Sequence, residues 1–189
     1  MTDPILLDVP DQFETERLII RAPRAGDGPA GNAAIHESLA ELRPWMPWAT
    51  SAPTVADTEA VYRRGAVRWL AREDFLMVLF RKADGLFVGG SGLHRIDWSV
   101  PAMEIGYWIR SSLSGHGYIT EAVEGITTFA FDALGAQRVE IRCDSRNRRS
   151  AAVAERAGYV LEARLHNHTC AVDGSLRDTL IYATFPPEE

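Results

Sequence analysis

The run Ser114-Gly115-His116-Gly117-Tyr118-Ile119-Thr120-Glu121-Ala122 constrains this chain more than any other stretch, because a strand pattern stops before it and a helix pattern begins inside it. Upstream, Met103 to Ile109 alternates, with Met103, Ile105, Tyr107 and Ile109 on one face and Glu104, Gly106 and Trp108 on the other. Downstream, Ile119, Val123, Ile126, Thr127, Ala130 and Leu134 recur at helical spacing. The loop therefore sits where a strand hands over to a helix N-terminus. Amides there lack intrahelical acceptors and lie at the positive end of the helix dipole, which suits a phosphate-bearing ligand. The two glycines let a main chain approach such a ligand closely. A plain tight turn is the competing reading of these nine residues.

The flanking elements follow from period and punctuation. Thr15 to Ala22 reads as a first strand ended by Pro23, and Asp27 to Leu42 as a helix ended before Pro44. Thr54 and Asp57 form a capping-box pattern that opens a helix through Glu73, with Ala60, Val61, Ala66, Val67 and Leu70 as its expected buried side. Phe75 to Arg81 and Leu86 to Ile96 read as a hairpin across Ala83-Asp84-Gly85. Gly89-Gly90-Ser91-Gly92 falls inside the second of these strands, so it marks a bulge or a close backbone approach and not a dinucleotide turn. After the long helix come a strand from Arg138 to Cys143, a helix from Asn147 to Gly158, and a hairpin of Tyr159 to Cys170 with Leu176 to Thr184. Asn147 has the chemistry to cap its helix, Ser150 lying three residues on. The sum is one mixed α/β domain over residues 12–185, seven strands and four helices, behind an arm of residues 1–11.

Composition narrows the function classes. A net charge of −6 argues against a general nucleic-acid binder, although Arg138, Arg142, Arg146, Arg148, Arg149 and Arg156 make one stretch locally basic. That stretch is either a solvated helix entrance or a seat for a cofactor's phosphates. No apolar run reaches the roughly 20 residues a membrane span needs, and Met1-Thr2-Asp3-Pro4 does not open a signal segment, so a cytoplasmic location is expected. Two cysteines, Cys143 and Cys170, are too few for a disulfide framework. Arg164, His166, His168 and Cys170 share a strand but supply no fourth metal ligand, and no metal is expected. Trp45-Met46-Pro47-Trp48 is a stiff apolar loop that either plugs the core or walls a substrate pocket. Glu104 is either a solvated strand carboxylate or one held beside a site.

Three motifs in order carry a resemblance. Met103-Glu104-Ile105-Gly106-Tyr107-Trp108-Ile109, then Gly115-His116-Gly117-Tyr118-Ile119-Thr120-Glu121-Ala122, then Asn147-x-x-Ser150 with Gly158-Tyr159, together resemble the GNAT acetyltransferases, and within them the RimJ/RimL branch. Glu16-Arg17-Leu18, the Trp45 to Trp48 loop and Asp178 are similar to that branch as well. The resemblance implies a GNAT acyltransferase fold: a central, mostly antiparallel seven-stranded sheet whose fourth and fifth strands splay apart, with about four helices. It implies acetyl-CoA in the splay, its pantetheine arm along Trp108, Ile109 and Arg110, its diphosphate on Gly115, His116, Gly117, Tyr118, Ile119 and Thr120, and Asn147 on the far side. The family's usual arginine or glutamine three residues before the first loop glycine is Ser112 here, which leaves the backbone donors most of the anion's binding.

The resemblance also implies a proton donor to the departing thiolate. Many relatives place a tyrosine seven residues after the asparagine, where this chain has Ala154. Ser150 is the donor the RimJ/RimL branch implies, against the plainer reading that it stabilises the first helical turn. Glu104, directly or through water, is the expected base, with Trp45, Trp48 and His94 as candidates on the acceptor side. An ordinary glutamate, near ~4.3, is better matched to an α-amine near ~7.7–8.0 than to a lysine near ~10.4, which favours the N-terminus of a ribosomal or other protein as acceptor. A small-molecule amine or polyamine, and a CoA-binding sensor without turnover, are the alternatives. Dimers are common in that branch, so a homodimer is an expectation too, while nucleic acid and membrane are not expected partners.

Overall fold

The computed structural model describes residues 3–187; the first two residues of the expected N-terminal arm lie outside them. Eight strands form one sheet: β1 (Gln12–Glu14), β2 (Leu18–Arg21), β3 (Phe75–Arg81), β4 (Phe87–Asp97), β5 (Ala102–Ile109), β6 (Arg138–Asp144), β7 (Val160–Cys170) and β8 (Leu176–Thr184). Their spatial order is β1-β2-β3-β4-β5-β6-β8-β7, antiparallel except between β5 and β6. Four α-helices accompany them: α1 (Gly28–Leu42), α2 (Val55–Leu70), α3 (Tyr118–Leu134) and α4 (Arg148–Arg156). The sheet has one strand more than the seven expected. β1 is three residues long, too short for an alternating pattern to show, and pairs with β2 from Gln12 opposite Arg21.

Residue alternation sorts the two faces. Met103 and Ile105 of β5 join Val123, Ile126 and Ala130 of α3 in the main core, together with Val139 and Ile141 of β6. On the opposite face, Ala34 of α1, Tyr62 of α2, Val78 and Phe87 make a second cluster against which Trp108 packs. The sheet is thus covered by α3 and α4 on one side and by α1 and α2 on the other, and each face of β5 belongs to a different core.

The capping box at Thr54 is present: the Asp57 amide donates to Thr54 Oγ1 at 3.1 Å, and the Thr54 amide donates to Asp57 Oδ2 at 3.0 Å. The buried face of α2 differs from the expected one. Thr58, Tyr62, Gly65 and Trp69 turn toward the sheet, while Val61, Val67 and Leu70 face solvent, Val67 at 67% exposure. The spacing 58, 62, 65, 69 is a helical stripe of its own, built from two aromatics, a threonine hydroxyl and a glycine. Aliphatic residues alone trace the wrong side of this helix.

The arm packs on the body. The Arg72 guanidinium donates to the Leu7 carbonyl at 2.7 Å, and the Ala22 amide donates to the Asp11 carbonyl at 2.8 Å. Among the described residues no helix is long and apolar enough to cross a membrane.

Candidate active site

β5 and β6 pair at only three positions: Ala102 with Arg138, Met103 with Val139 and Glu104 with Glu140. Beyond Glu104 the strands diverge, because β6 continues along β8 while β5 stays on β4 through Ile109. A V-shaped gap results. The Arg110 amide donates to the Val88 carbonyl at 2.8 Å, so the main chain of Arg110, and by alternation that of Trp108 and Gly106, faces β4. The polar groups of Tyr107 and Ile109 therefore face the gap. Among the three residues expected along a pantetheine arm, Ile109 presents its backbone there and the other two do not. The Trp108 ring lies on the α1/α2 face over Gly90, and the Arg110 guanidinium binds Glu37 at 2.6 Å.

The glycine loop closes the wide end of the gap. Gly115 and Gly117 have φ of 82° and 81°, a left-handed conformation costing other residues roughly 1–2 kcal/mol. Gly117 is the N-cap of α3 and supplies no side-chain cap, and the first helical bond runs from the Glu121 amide to the Gly117 carbonyl at 3.1 Å. Among the described residues, the amides of Gly115, His116, Gly117, Tyr118, Ile119 and Thr120 have no protein acceptor. Six donors at a helix N-terminus form a seat for an anion.

Arg17 and Glu121 hold that seat from behind. The Glu121 carboxylate accepts from Thr15 Oγ1 at 2.5 Å, from the Arg17 amide at 2.7 Å and from Arg17 Nε at 2.6 Å. Arg17 also donates to the His116 carbonyl at 3.0 Å and lies 4.5 Å from the centre of the Tyr118 ring. Burial pushes the Glu121 carboxyl up, but the bonds from Thr15 and Arg17 outweigh it and hold the group below its ordinary range. Of the basic stretch, Arg138, Arg142 and Arg146 are engaged with Glu140, Glu162 and Asp144. Arg156 lies 3.5 Å from Thr120 Oγ1, at the rim of the loop.

Across the gap, Asn147 caps α4, its Oδ1 accepting from the Ser150 amide at 3.1 Å. The Ser150 hydroxyl meets the Tyr107 hydroxyl at 3.0 Å, and Tyr107 also reaches the Ser150 carbonyl at 3.0 Å. Burial raises the Tyr107 phenol well above its ordinary value, so it stays protonated. Cys143 lies beside the same hydroxyl, its thiol pushed up to about 11 by burial. Tyr107 was not among the sequence candidates; its place on the α3/α4 face was readable, its partner 43 residues away was not.

Glu104 is on the other face and is 19% exposed. Its Oε2 lies 3.4 Å from Arg95 and 3.5 Å from Arg142, and the pKa is raised by burial against the pull of those two cations. His94 stands opposite Glu104 in the β4/β5 register. Its Nδ1 lies 2.8 Å from Asp74 Oδ2, and Nε2 has no partner among the described residues. Its ring lies across Gly92, where an added Cβ would sit 2.9 Å from the imidazole, so the glycine run in β4 seats two side chains, Trp108 on Gly90 and His94 on Gly92.

His94, Trp48 and Trp108 line one cavity of about 510 Å³ between α1, α2 and the β4/β5 ribbon, with Ile35, Met46, Tyr62 and Leu76. The Trp48 and Trp108 rings meet edge to face at 6.1 Å. Trp45 is not part of this lining and stands at the surface. A second depression, about 350 Å³, lies under the arm beside Arg72 and Trp98, away from the loop. Arg164 and His166 both bind Asp178 and His168 binds Thr179, so that strand face is tied into β8.

Residues 17–160 match the family model of the acetyltransferase (GNAT) domain. The chain belongs to the GNAT acetyltransferases. Acetyl-CoA is the cosubstrate that this membership carries. Among curated GNAT proteins, YdaF of Bacillus subtilis (strain 168), a candidate ribosomal N-acetyltransferase, is 35% identical over 105 residues, 56% of this chain and 57% of that one. The chain thus spans a little over half the length of that relative. The ribosomal-protein-serine acetyltransferase of Escherichia coli (strain K12) is 27% identical over 134 residues, 69% of this chain and 74% of its own. Among solved GNAT structures, the ribosomal-protein α-N-acetyltransferase RimL in complex with coenzyme A superposes with a TM-score of 0.84 at 21% identity, over 94% of this chain and 97% of that one. At that identity the likeness speaks for the fold.

Proposed function

We propose that this chain transfers the acetyl group of acetyl-CoA to the α-amine at the N-terminus of a protein or peptide, with both substrates bound together. The observation that carries the reading is the row of unpartnered amides from Gly115 to Thr120, at the end of a strand edge left open by the β5/β6 divergence. The names of the relatives in Bacillus subtilis and Escherichia coli support a ribosomal-protein N-terminus as the acceptor. The site fits the cosubstrate: six N–H donors suit a diphosphate, and the free main-chain groups of Tyr107 and Ile109 suit a pantetheine arm's amides. When bound, acetyl-CoA supplies an activated acyl carbon.

The chain's own residues then manage two protons. As the C–N bond forms and the C–S bond breaks, Ser150 Oγ–H gives its proton to the departing sulfur and is re-protonated by the proton that the acylated nitrogen sheds, its hydroxyl held beside that of Tyr107. The acceptor must give up its ammonium proton before attack. Glu104 is poorly placed for that task, since its Oε2 is buried without a hydrogen bond and faces two guanidiniums at 3.4 and 3.5 Å. His94 lines the cavity with Nδ1 held by Asp74 and Nε2 without a partner among the described residues, and imidazole is the commonest side chain in general-base catalysis. We assign the base to His94 and give Glu104 the part of an electrostatic neighbour.

Release of free CoA thiol in the presence of peptides tests the reading directly. Ser150→Ala retains the main-chain amide that Asn147 caps, so it removes the hydroxyl alone. Turnover should fall by about 10²-fold or more with acetyl-CoA affinity unchanged. A turnover within threefold of the parent, or an equal loss of affinity, overturns the role of Ser150.

A further inference from the structure

The cavity between α1, α2 and the β4/β5 ribbon is mostly apolar, and most of its polar side chains are already engaged. Thr58 Oγ1 is used by Asn32 and by the Thr54 carbonyl, Ser91 Oγ by the Gly106 carbonyl, and Asp57 Oδ2 by the cap at Thr54. His94 Nδ1 is taken by Asp74. His94 Nε2 is left without a partner among the described residues, beside a wall made largely of the apolar surfaces of Ile35, Met46, Trp48, Leu76 and Trp108, with Tyr62 also in the lining. Its volume of about 510 Å³ is within the range of a small-molecule site. Trp48 stays 46% exposed at the mouth, an aromatic face left uncovered by this chain.

We infer that this cavity binds the acceptor and selects a primary amine whose amino-bearing carbon carries an apolar, ring-sized group. The inference rests on the acetyl-transfer reading and names its substrate class. The geometry is that of a bipartite grip: the amino nitrogen at His94, the apolar group against the wall that the touching Trp48 and Trp108 rings form. A serine or alanine side chain would leave most of those rings in contact with water, whereas a phenylalanine, leucine or methionine side chain would cover them. The carboxylate of Asp57 is at the exposed rim in its capping box, so the interior has no anion to reward a second ammonium. An N-terminal residue and a free arylalkylamine offer the same chemistry, and the assay separates them.

The experiment measures kcat/KM by CoA thiol release for the peptides Phe-Ala-Ala, Leu-Ala-Ala, Ala-Ala-Ala and Ser-Ala-Ala, and for phenethylamine and spermidine. The phenylalanine or leucine peptide should exceed the alanine and serine peptides at least tenfold. Phenethylamine at the level of the phenylalanine peptide would make the free amine the source; a lower rate would make it a peptide N-terminus, and either supports the class. Trp48→Ala should reduce the phenylalanine-to-alanine ratio to below threefold, with acetyl-CoA affinity by calorimetry reporting an intact fold. Preference for alanine, serine or spermidine overturns the inference and leaves acetyl transfer standing. Acetyl-CoA binding without thiol release from any acceptor overturns acetyl transfer, and the inference with it.

Discussion

Replacing Glu121 by alanine should weaken the fold and the anion seat together. Its carboxylate, 14% exposed, receives three hydrogen bonds, two of them from Arg17 and one from Thr15. Bonds to a charged acceptor are worth about 1.5–3 kcal/mol each where buried, but Arg17 is 41% exposed, so solvent screens the ion pair. A net loss of about 2–3 kcal/mol follows, and for a domain of this size roughly 2–4 °C per kcal/mol gives a Tm lower by about 5–10 °C. Arg17, released, no longer braces the His116 carbonyl, so acetyl-CoA affinity should drop by about fivefold, the equivalent of roughly 1 kcal/mol. The pH dependence has a definite sign. The folded-state pKa of Glu121 lies below its ordinary value, so its stabilisation is present above about pH 4.3 and is lost as pH falls through the depressed value. Differential scanning fluorimetry of parent and variant should therefore show the full Tm gap at pH 7 and a narrower one below about pH 4. A Tm at pH 7 within a degree of the parent, with unchanged acetyl-CoA affinity by calorimetry, would refute the reasoning.

Two further outcomes are expected. His94→Gln should cost about 10²-fold in kcat/KM at pH 7, while Glu104→Gln should cost less than about fivefold; the reverse order would return the base to Glu104. Cys170, exposed, should react with a thiol reagent at pH 8 within minutes, whereas Cys143, buried and raised to about 11, is thiolate in roughly one molecule in a thousand and should react only on unfolding, as mass spectrometry of the alkylated protein will read.

What the residues disclosed in advance was what depends on neighbours in sequence. Alternation put Glu104 and Tyr107 on opposite faces of β5, and Asn147 caps the helix its chemistry suggested. The capping box at Thr54 sets the start of α2, yet the aliphatic pattern points to the wrong side of that helix, because Tyr62 and Trp69 carry polar atoms and Gly65 has no side chain to count. Partners distant in sequence were hidden. Asp74 comes to His94 through the pairing of β3 with β4, Ser150 to Tyr107 from the first turn of α4, and Arg95 and Arg142 to Glu104 from strands on either side. The glycines of β4 suggest a bulge or a close backbone approach from sequence alone. Gly89 does lie against the Trp108 carbonyl, while Gly90 and Gly92 make room for rings, which only the fold could specify.

The three-residue seam between β5 and β6 makes the sheet a forked plank. One arm, β1 through β5, bears α1 and α2, and the other, β6, β8 and β7, is joined to it at the crotch where Glu104 and Glu140 stand opposite each other. Arg142 sits between these two carboxylates, so a single guanidinium pins the apex from which both arms open. The angle of the fork is then fixed at its narrow end, far from the glycine turn.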